Sequence, residues 1–142
     1  MAALVDTNVL VYCFDSRHPS KRATARTLVY DGFAREDIRI CHQTVIEFVA
    51  AVTRPRKNLP PLLTDEEAWH EAETLLAEHE VLYPTDAVVR TAFRGAAVYR
   101  LSWFDAHLWA YAECNGLDEI WSEDFQHGRL YGTVRAVNPF VA

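Results

Sequence analysis

The sequence predicts an α/β protein in which helices cover both faces of a parallel sheet. Short apolar runs alternate along the chain with longer helical segments, and the first run, at residues 2–5, stops at Asp6. Strands that alternate with helices favour a parallel sheet with right-handed crossovers. In open sheets of this kind, ligands bind at the carboxyl ends of the strands, where Asp6 would lie. We therefore expect a three-layer α/β/α sandwich organised around the first strand.

The bulk composition is that of a globular chain, and it limits the possible functions. The 142 residues are 50% hydrophobic and suit a single domain, 1–142. The formal net charge of −6 argues against bulk attraction to nucleic acid, so any such partner must be held locally. The N-terminal apolar run lacks a basic leader and is interrupted by Asp6, so we expect neither a signal peptide nor a membrane span, and a cytoplasmic location.

Each predicted element has its own local signal. The first helix follows Asp6 and is broken before Pro19, and the alternating, β-branched run at 38–41 predicts the second strand. Three prolines stiffen the loop at 54–61, and a capping box at 64–67 opens the fourth helix. The predicted helices span residues 9–14, 20–36, 43–53, 64–79, 86–99 and 102–115. The five predicted strands span residues 2–5, 38–41, 81–83, 119–122 and 134–137.

Four acidic residues lie where they could face one cleft. Asp6 and Asp124 each follow an apolar strand, and Glu47 and Asp105 are predicted in the first turns of two helices. Each has a structural alternative. Asp6 could simply cap the first helix, and the stretches at 44–47 and 102–105 both match the capping box. Asp124 could equally be an acidic residue of a turn. The joint pattern favours a functional site.

Carboxylates gathered in one cleft repel each other, and a bound cation removes that cost. Mg²⁺ and Mn²⁺ prefer oxygen ligands and are usually held by a few carboxylates and waters. Such an ion suits phosphodiester hydrolysis. We expect Asp6 and Asp105 to be direct or water-mediated ligands, and Glu47 and Asp124 to complete the acidic ring. The residues expected to orient the acids or their waters are Thr7, Asn8 and Ser122.

Five motifs follow one another along the chain: Asp6-Thr-Asn8, the Glu47 helix, Ser102-Trp-Phe-Asp105-Ala, Ser122-Glu-Asp124-Phe-Gln-His-Gly128 and Val137-Asn-Pro-Phe140. In these motifs the chain resembles a PIN-domain ribonuclease of the VapC toxin type. The resemblance runs over essentially the whole length. It implies a five-stranded sheet in the order 3-2-1-4-5, with the switch point between strands one and four.

The resemblance also implies an activity and partners. The expected activity is Mg²⁺- or Mn²⁺-dependent endonuclease cleavage of structured RNA, either tRNA or rRNA, by the toxin of a type II toxin–antitoxin pair. A homodimer is expected, as is a small cognate antitoxin whose C-terminal segment lies across the acidic site. Some of six aromatic residues would line a groove for an antitoxin helix: Trp69, Trp103, Phe104, Trp109, Tyr111 and Trp121.

RNA contact by an acidic protein requires local cations. The group favoured for phosphate contact consists of Arg17, Lys21, Arg22 and Arg26. A solvated helix face is the alternative interpretation of these residues. Three other functions are weighed: a housekeeping RNA-processing nuclease, a non-catalytic PIN-fold module that binds RNA or protein, and a phosphatase of the haloacid dehalogenase type. The last calls for a second acid two residues after the first, where this chain has Asn8.

Overall fold

A computed structural model describes residues 2–141 and confirms the α/β sandwich. The strands are β1 (Ala3–Val5), β2 (Ile38–Cys41), β3 (Val81–Leu82), β4 (Glu119–Trp121), β5 (Leu130–Tyr131) and β6 (Val134–Val137). The helices are α1 (Thr7–Tyr12), α2 (Pro19–Ala34), α3 (His42–Val52), α4 (Asp65–Glu78), α5 (Asp86–Tyr99) and α6 (Trp103–Cys114). In the described part of the chain, no helix is both long enough and apolar enough to cross a membrane.

The strands form one sheet in the order β3-β2-β1-β4-β6-β5. The first four neighbouring pairs are parallel, so the predicted order holds with β6 in the fifth place. The prediction of five strands was wrong, because β5 adds an antiparallel edge next to β6. This two-residue strand depends on a tight turn in which Gly132 has a φ of 61°. A strand so short has no periodicity from which the sequence could predict it.

The sheet separates two apolar cores. Successive side chains of a strand point to opposite faces, so Ala3 and Val5 pack towards α1, α3 and α4, whereas Leu4 packs towards α5 and α6. The core on the side of α5 and α6 is unusually tightly packed at one point. A Cβ atom on Gly95 of α5 would lie 2.6 Å from Cε3 of Trp109 in α6, so only glycine allows the two helices to approach this closely.

The topology brings the ends of β1 and β4 together at one edge of the sheet. Val5 is paired with Trp121, and the backbone N–H of Asp6 donates to the carbonyl of Trp121 at 2.9 Å. After β1 the chain continues into α1 on one face of the sheet, whereas it reaches β4 from α6 on the other face. The crevice at such a switch point is where open α/β sheets bind their ligands.

Candidate active site

Asp6 is the buried centre of the site. It ends β1 and caps α1, and only 5% of its surface is exposed. Its Oδ1 accepts from the backbone N–H of Thr7 at 2.6 Å, and its Oδ2 accepts from the hydroxyl of Ser122 at 2.6 Å. Asp6 therefore does cap the helix, as the structural alternative required, while its carboxylate is also fixed in the crevice.

Asn8 and Ser122 connect Asp6 to Asp124. The Asn8 amide donates to Oδ2 of Asp6 at 3.3 Å and to Oδ2 of Asp124 at 3.1 Å. The Ser122 hydroxyl accepts from the backbone N–H of Asp124 at 3.0 Å. Among residues 2–141 no hydrogen-bond donor reaches the buried Oδ1 of Asn8. Two acids and two neutral side chains thus form one hydrogen-bonded group, in which Oδ1 of Asn8 receives no hydrogen bond from residues 2–141.

Glu47 is held by neutral donors at both carboxylate oxygens. Thr7 donates its hydroxyl to Oε2 at 2.9 Å, and Gln43 donates its amide to Oε1 at 3.1 Å. The prediction that Glu47 lies in a first turn was wrong, because α3 begins at His42 and Glu47 falls in its second turn. Thr44 is buried and does not cap the helix, so the capping-box alternative for this stretch is excluded.

Asp105 lies in the first turn of α6, as predicted. Ser102 is the N-cap, and its hydroxyl accepts from the backbone N–H of Asp105 at 3.2 Å. The cap occupies the backbone of Asp105 and leaves its carboxylate near the other acids. Burial raises the pKa of the Asp105 carboxyl, and the charges of Asp124 and Glu47 raise it further, against a lowering contribution from Ser102.

The site carries uncompensated negative charge. Burial raises the pKa of Asp6 from 3.8 to about 7, and the charges of Asp124 and Asp105 add to the effect, although hydrogen bonds from Ser122 and Thr7 oppose it. Within residues 2–141 no lysine or arginine forms an ion pair with any of these acids or with Glu47. A carboxylate in this environment is stabilised by any cation that enters the crevice.

The oxygen donors fit a hydrated divalent ion. In the described residues, no three His, Cys, Asp or Glu side chains lie close enough together to enclose a metal by themselves. Mg²⁺ does not require that, because it keeps several waters and is usually bound through one or two carboxylates. Asp6 and Asp105 remain the best candidates for ligands, and the unpaired Oδ1 of Asn8 is suited to accept from a water.

The four basic candidates differ in how far they are already engaged. Arg17 forms an ion pair with Asp15 at 2.9 Å, Lys21 forms one with Glu123 at 3.1 Å, and Arg26 donates to the carbonyl of Cys13 at 2.7 Å. Over the described part of the chain, the Arg22 side chain makes no hydrogen bond or ion pair. Of the four, Arg22 is therefore the most available for a phosphate.

Sequence reasoning missed two contributors to the site. One is Gln43, whose amide also donates to the carbonyl of Phe104 at 3.0 Å. The other is Glu123, which accepts from Tyr12 at 2.8 Å and from Lys21, and so fastens the loop that carries Asp124. Nothing in the local sequence marks either contact, since each joins segments far apart in the chain.

The fold and the site define an α/β protein with a mostly parallel sheet and with carboxylates near one another at the topological switch point. Residues 3–132 match the sequence model of the PIN domain, and the chain belongs to the PIN-domain family. No curated protein sequence gives a significant match.

Solved structures of VapC proteins share this fold. VapBC2 from Rickettsia felis, bound to a DNA fragment from its promoter, has a TM-score of 0.66 at 13% identity, over 96% of this chain and 97% of that one. DNA-bound VapBC from Salmonella typhimurium has a TM-score of 0.65 at 14% identity, over 96% of both chains. The sarcin–ricin loop cleaving toxin VapC20 from Mycobacterium tuberculosis has a TM-score of 0.61 at 16% identity, over 84% of this chain and 87% of that one. At such identities the likeness is one of fold.

Proposed function

We propose that the protein is a metal-dependent endoribonuclease that cuts structured RNA, either tRNA or rRNA, as the cytoplasmic toxin of a type II toxin–antitoxin pair. The observation that carries the proposal is the group of four carboxylates at the switch point, Asp6, Glu47, Asp105 and Asp124, which have no basic partner in residues 2–141. The nuclease activity of the PIN family supports it.

The residues of the site would have separate roles in the reaction. When bound, Mg²⁺ or Mn²⁺ would stabilise the charge that develops on the phosphate and would lower the pKa of a water. Asp6 and Asp105 would hold the ion, and Asp124 and Glu47 would orient its waters. Asn8 and Ser122 keep the carboxylates of Asp6 and Asp124 at a fixed separation. A pre-formed arrangement of this kind avoids reorganisation during the reaction.

The test is cleavage of total RNA by the purified protein with Mg²⁺ or Mn²⁺, alongside Asp6→Asn and an EDTA control. We expect discrete fragments that disappear in both controls and whose mapped ends give the target. The matched control is Asp118→Asn, which changes an exposed aspartate whose side chain makes no hydrogen bond in the described structure. Folded protein that binds RNA without cutting it would instead be a non-catalytic binding module.

Expression in cells separates a toxin from a housekeeping nuclease. A toxin should arrest growth when it is induced alone, whereas Asp6→Asn should not. In vitro cleavage without any effect on growth would favour the RNA-processing role.

A groove on the surface suits the proposed antitoxin. It has a volume of about 810 Å³ and is lined by apolar residues that include Phe14, Val29, Phe33 and Leu75. Its lining also includes three acidic side chains, those of Asp31, Glu71 and Glu78, and one arginine, Arg26. We propose that an amphipathic antitoxin helix with basic flanks packs there, a helix-in-groove mode. The VapBC complexes among the structures with this fold support this partner.

The groove differs from the one that the aromatic residues suggested. Trp109 and Tyr111 are core residues, and the exposed Trp69, Trp103 and Phe104 do not line it. We expect Leu75→Asp to weaken neutralisation by the antitoxin while RNA cleavage persists. Equal neutralisation of wild type and variant would contradict this binding site.

The proposed homodimer has its own candidate surface. Phe93 and Trp103 stack with ring centroids 5.5 Å apart, and both are exposed beside Phe104. Exposed aromatic clusters of this kind mark protein interfaces. Phe93→Glu should convert a dimer into a monomer in light scattering. A wild type that is monomeric at high concentration would contradict the dimer.

A further inference from the structure

Gln43 joins two of the elements that carry acidic residues. It lies in the first turn of α3, one turn before Glu47. Its Nε2 donates to Oε1 of Glu47 at 3.1 Å and to the carbonyl of Phe104 at 3.0 Å. A primary amide has two N–H donors, so one side chain can serve both acceptors at once. Phe104 directly precedes Asp105, so this amide ties the carboxylate of one acid to the backbone beside another.

The second oxygen of Glu47 is fixed from the opposite side. Thr7, the neighbour of Asp6, donates its hydroxyl to Oε2 at 2.9 Å. Glu47 thus lies between the Thr7 hydroxyl, next to the end of β1, and the Gln43 amide, which is hydrogen-bonded to the start of α6. If Gln43 lost its amide, Thr7 would still hold one oxygen, and nothing in residues 2–141 would hold the other.

We propose that Gln43 is a positioning residue that sets the placement of Glu47 relative to Asp105 and thereby the affinity of the crevice for a divalent ion. The inference rests on the proposed function and adds a residue outside the acidic set. Groups that orient metal ligands or their waters typically change metal affinity or activity by about 10- to 100-fold when they are removed. A ligand set must be held within roughly 0.5 Å of its productive geometry, which a cross-link between α3 and α6 can supply.

The test compares Gln43→Met with Ala50→Met. Methionine matches glutamine in length but lacks the N–H donors, and Ala50 is an exposed residue of the same helix, one turn after Glu47, whose replacement removes no hydrogen-bond donor. Mn²⁺ affinity is measured by calorimetry, and kcat and KM are measured with an RNA substrate. We expect Gln43→Met to weaken Mn²⁺ binding by about 10- to 100-fold and to lower kcat at limiting Mn²⁺, with KM for RNA unchanged. Ala50→Met should match the wild type.

A second pair of variants tests the route of the effect. In a Glu47→Gln background, most of the effect of Gln43→Met on Mn²⁺ affinity should disappear, because residues that act through one contact are not additive. Gln43→Ala removes both N–H donors without adding a charge to the crevice. It should reproduce the loss of Mn²⁺ affinity if the methionine variant does not fold.

Two results would overturn the proposal. One is Mn²⁺ affinity and kcat in folded Gln43 variants equal to those of Ala50→Met. The other is a raised KM for RNA with unchanged Mn²⁺ affinity, which would make Gln43 an RNA contact. A wild type that neither binds Mn²⁺ nor cuts RNA is a different outcome, and it would refute the proposed function together with this inference.

Discussion

Replacement of Asp6 by asparagine should stabilise the metal-free protein, and the gain should depend on pH. The folded protein raises the pKa of this carboxyl from 3.8 to about 7, chiefly through burial. At pH values between 3.8 and about 7, Asp6 keeps its proton in the folded protein, whereas the unfolded chain has released it. The folded state therefore binds more protons, and the free energy of unfolding falls as pH rises through this window.

The size of the effect follows from the two pKa values. Linkage gives a cost for Asp6 of about 1.5 kcal/mol at pH 5 and about 4 kcal/mol at pH 8. Asparagine does not ionise and therefore has no such cost. Its side-chain amide would face the donor amide of Asn8, which is unfavourable, but this penalty does not vary with pH. The stability of Asp6→Asn relative to wild type should therefore increase by about 2.5 kcal/mol between pH 5 and pH 8.

Urea unfolding in EDTA at both pH values measures the difference, with Asp118→Asn as the control for the loss of an exposed carboxylate. A difference between Asp6→Asn and wild type that is the same at pH 5 and pH 8 would refute a raised pKa for Asp6. Addition of Mn²⁺ at pH 8 should then stabilise the wild type more than the variant, because an ion that binds only the folded state adds to its stability.

The tight core contact and the basic side chains of α2 allow three further tests. Gly95→Ala should destabilise the protein by about 1–3 kcal/mol in urea unfolding, because the new methyl group would overlap the ring of Trp109; a gain, as in an ordinary exposed helix, would contradict this packing. Lys21→Met removes the ion pair to Glu123 and should cost no more than about 1 kcal/mol of stability. Arg22→Glu should weaken RNA binding and reduce its dependence on salt, and an RNA affinity for Arg22→Glu equal to that of the wild type would argue against a phosphate contact at Arg22.

Three matches to the capping-box pattern show what local sequence can predict. Thr64 caps α4 with reciprocal hydrogen bonds to Glu67, and Ser102 caps α6. Thr44 fits the same pattern and caps nothing, because α3 begins two residues earlier, directly after β2. Its hydroxyl is buried 3.2 Å from the sulfur of Cys41. Where a strand runs straight into a helix, the position of the strand in the sheet fixes the helix start and overrides the cap signal.

The positions of the acidic residues could be predicted from the topology, whereas the residues that hold them in place could not. The carboxyl ends of parallel strands meet at one edge of a sheet, so Asp6 and Asp124 could be placed together from the alternation of elements alone. Gln43 acts through α6, and Lys21 acts through Glu123 on a distant loop. Such contacts arise only from the packing of separate elements, and neither residue stands in a local motif that records its partner.

The strand order has a consequence for when the crevice can exist. β1 is synthesised before the other strands of this sheet, but in the sheet it lies between β2 and β4. A nascent chain can pair β1 with β2 early, yet Asp6 must wait for Ser122, which follows β4, before its carboxylate gains that hydrogen bond. Contacts between such distant parts of a chain are among the slowest to form. The acids are therefore brought together only after the chain has been synthesised beyond β4, and a product that ends before Ser122 lacks the assembled cleft.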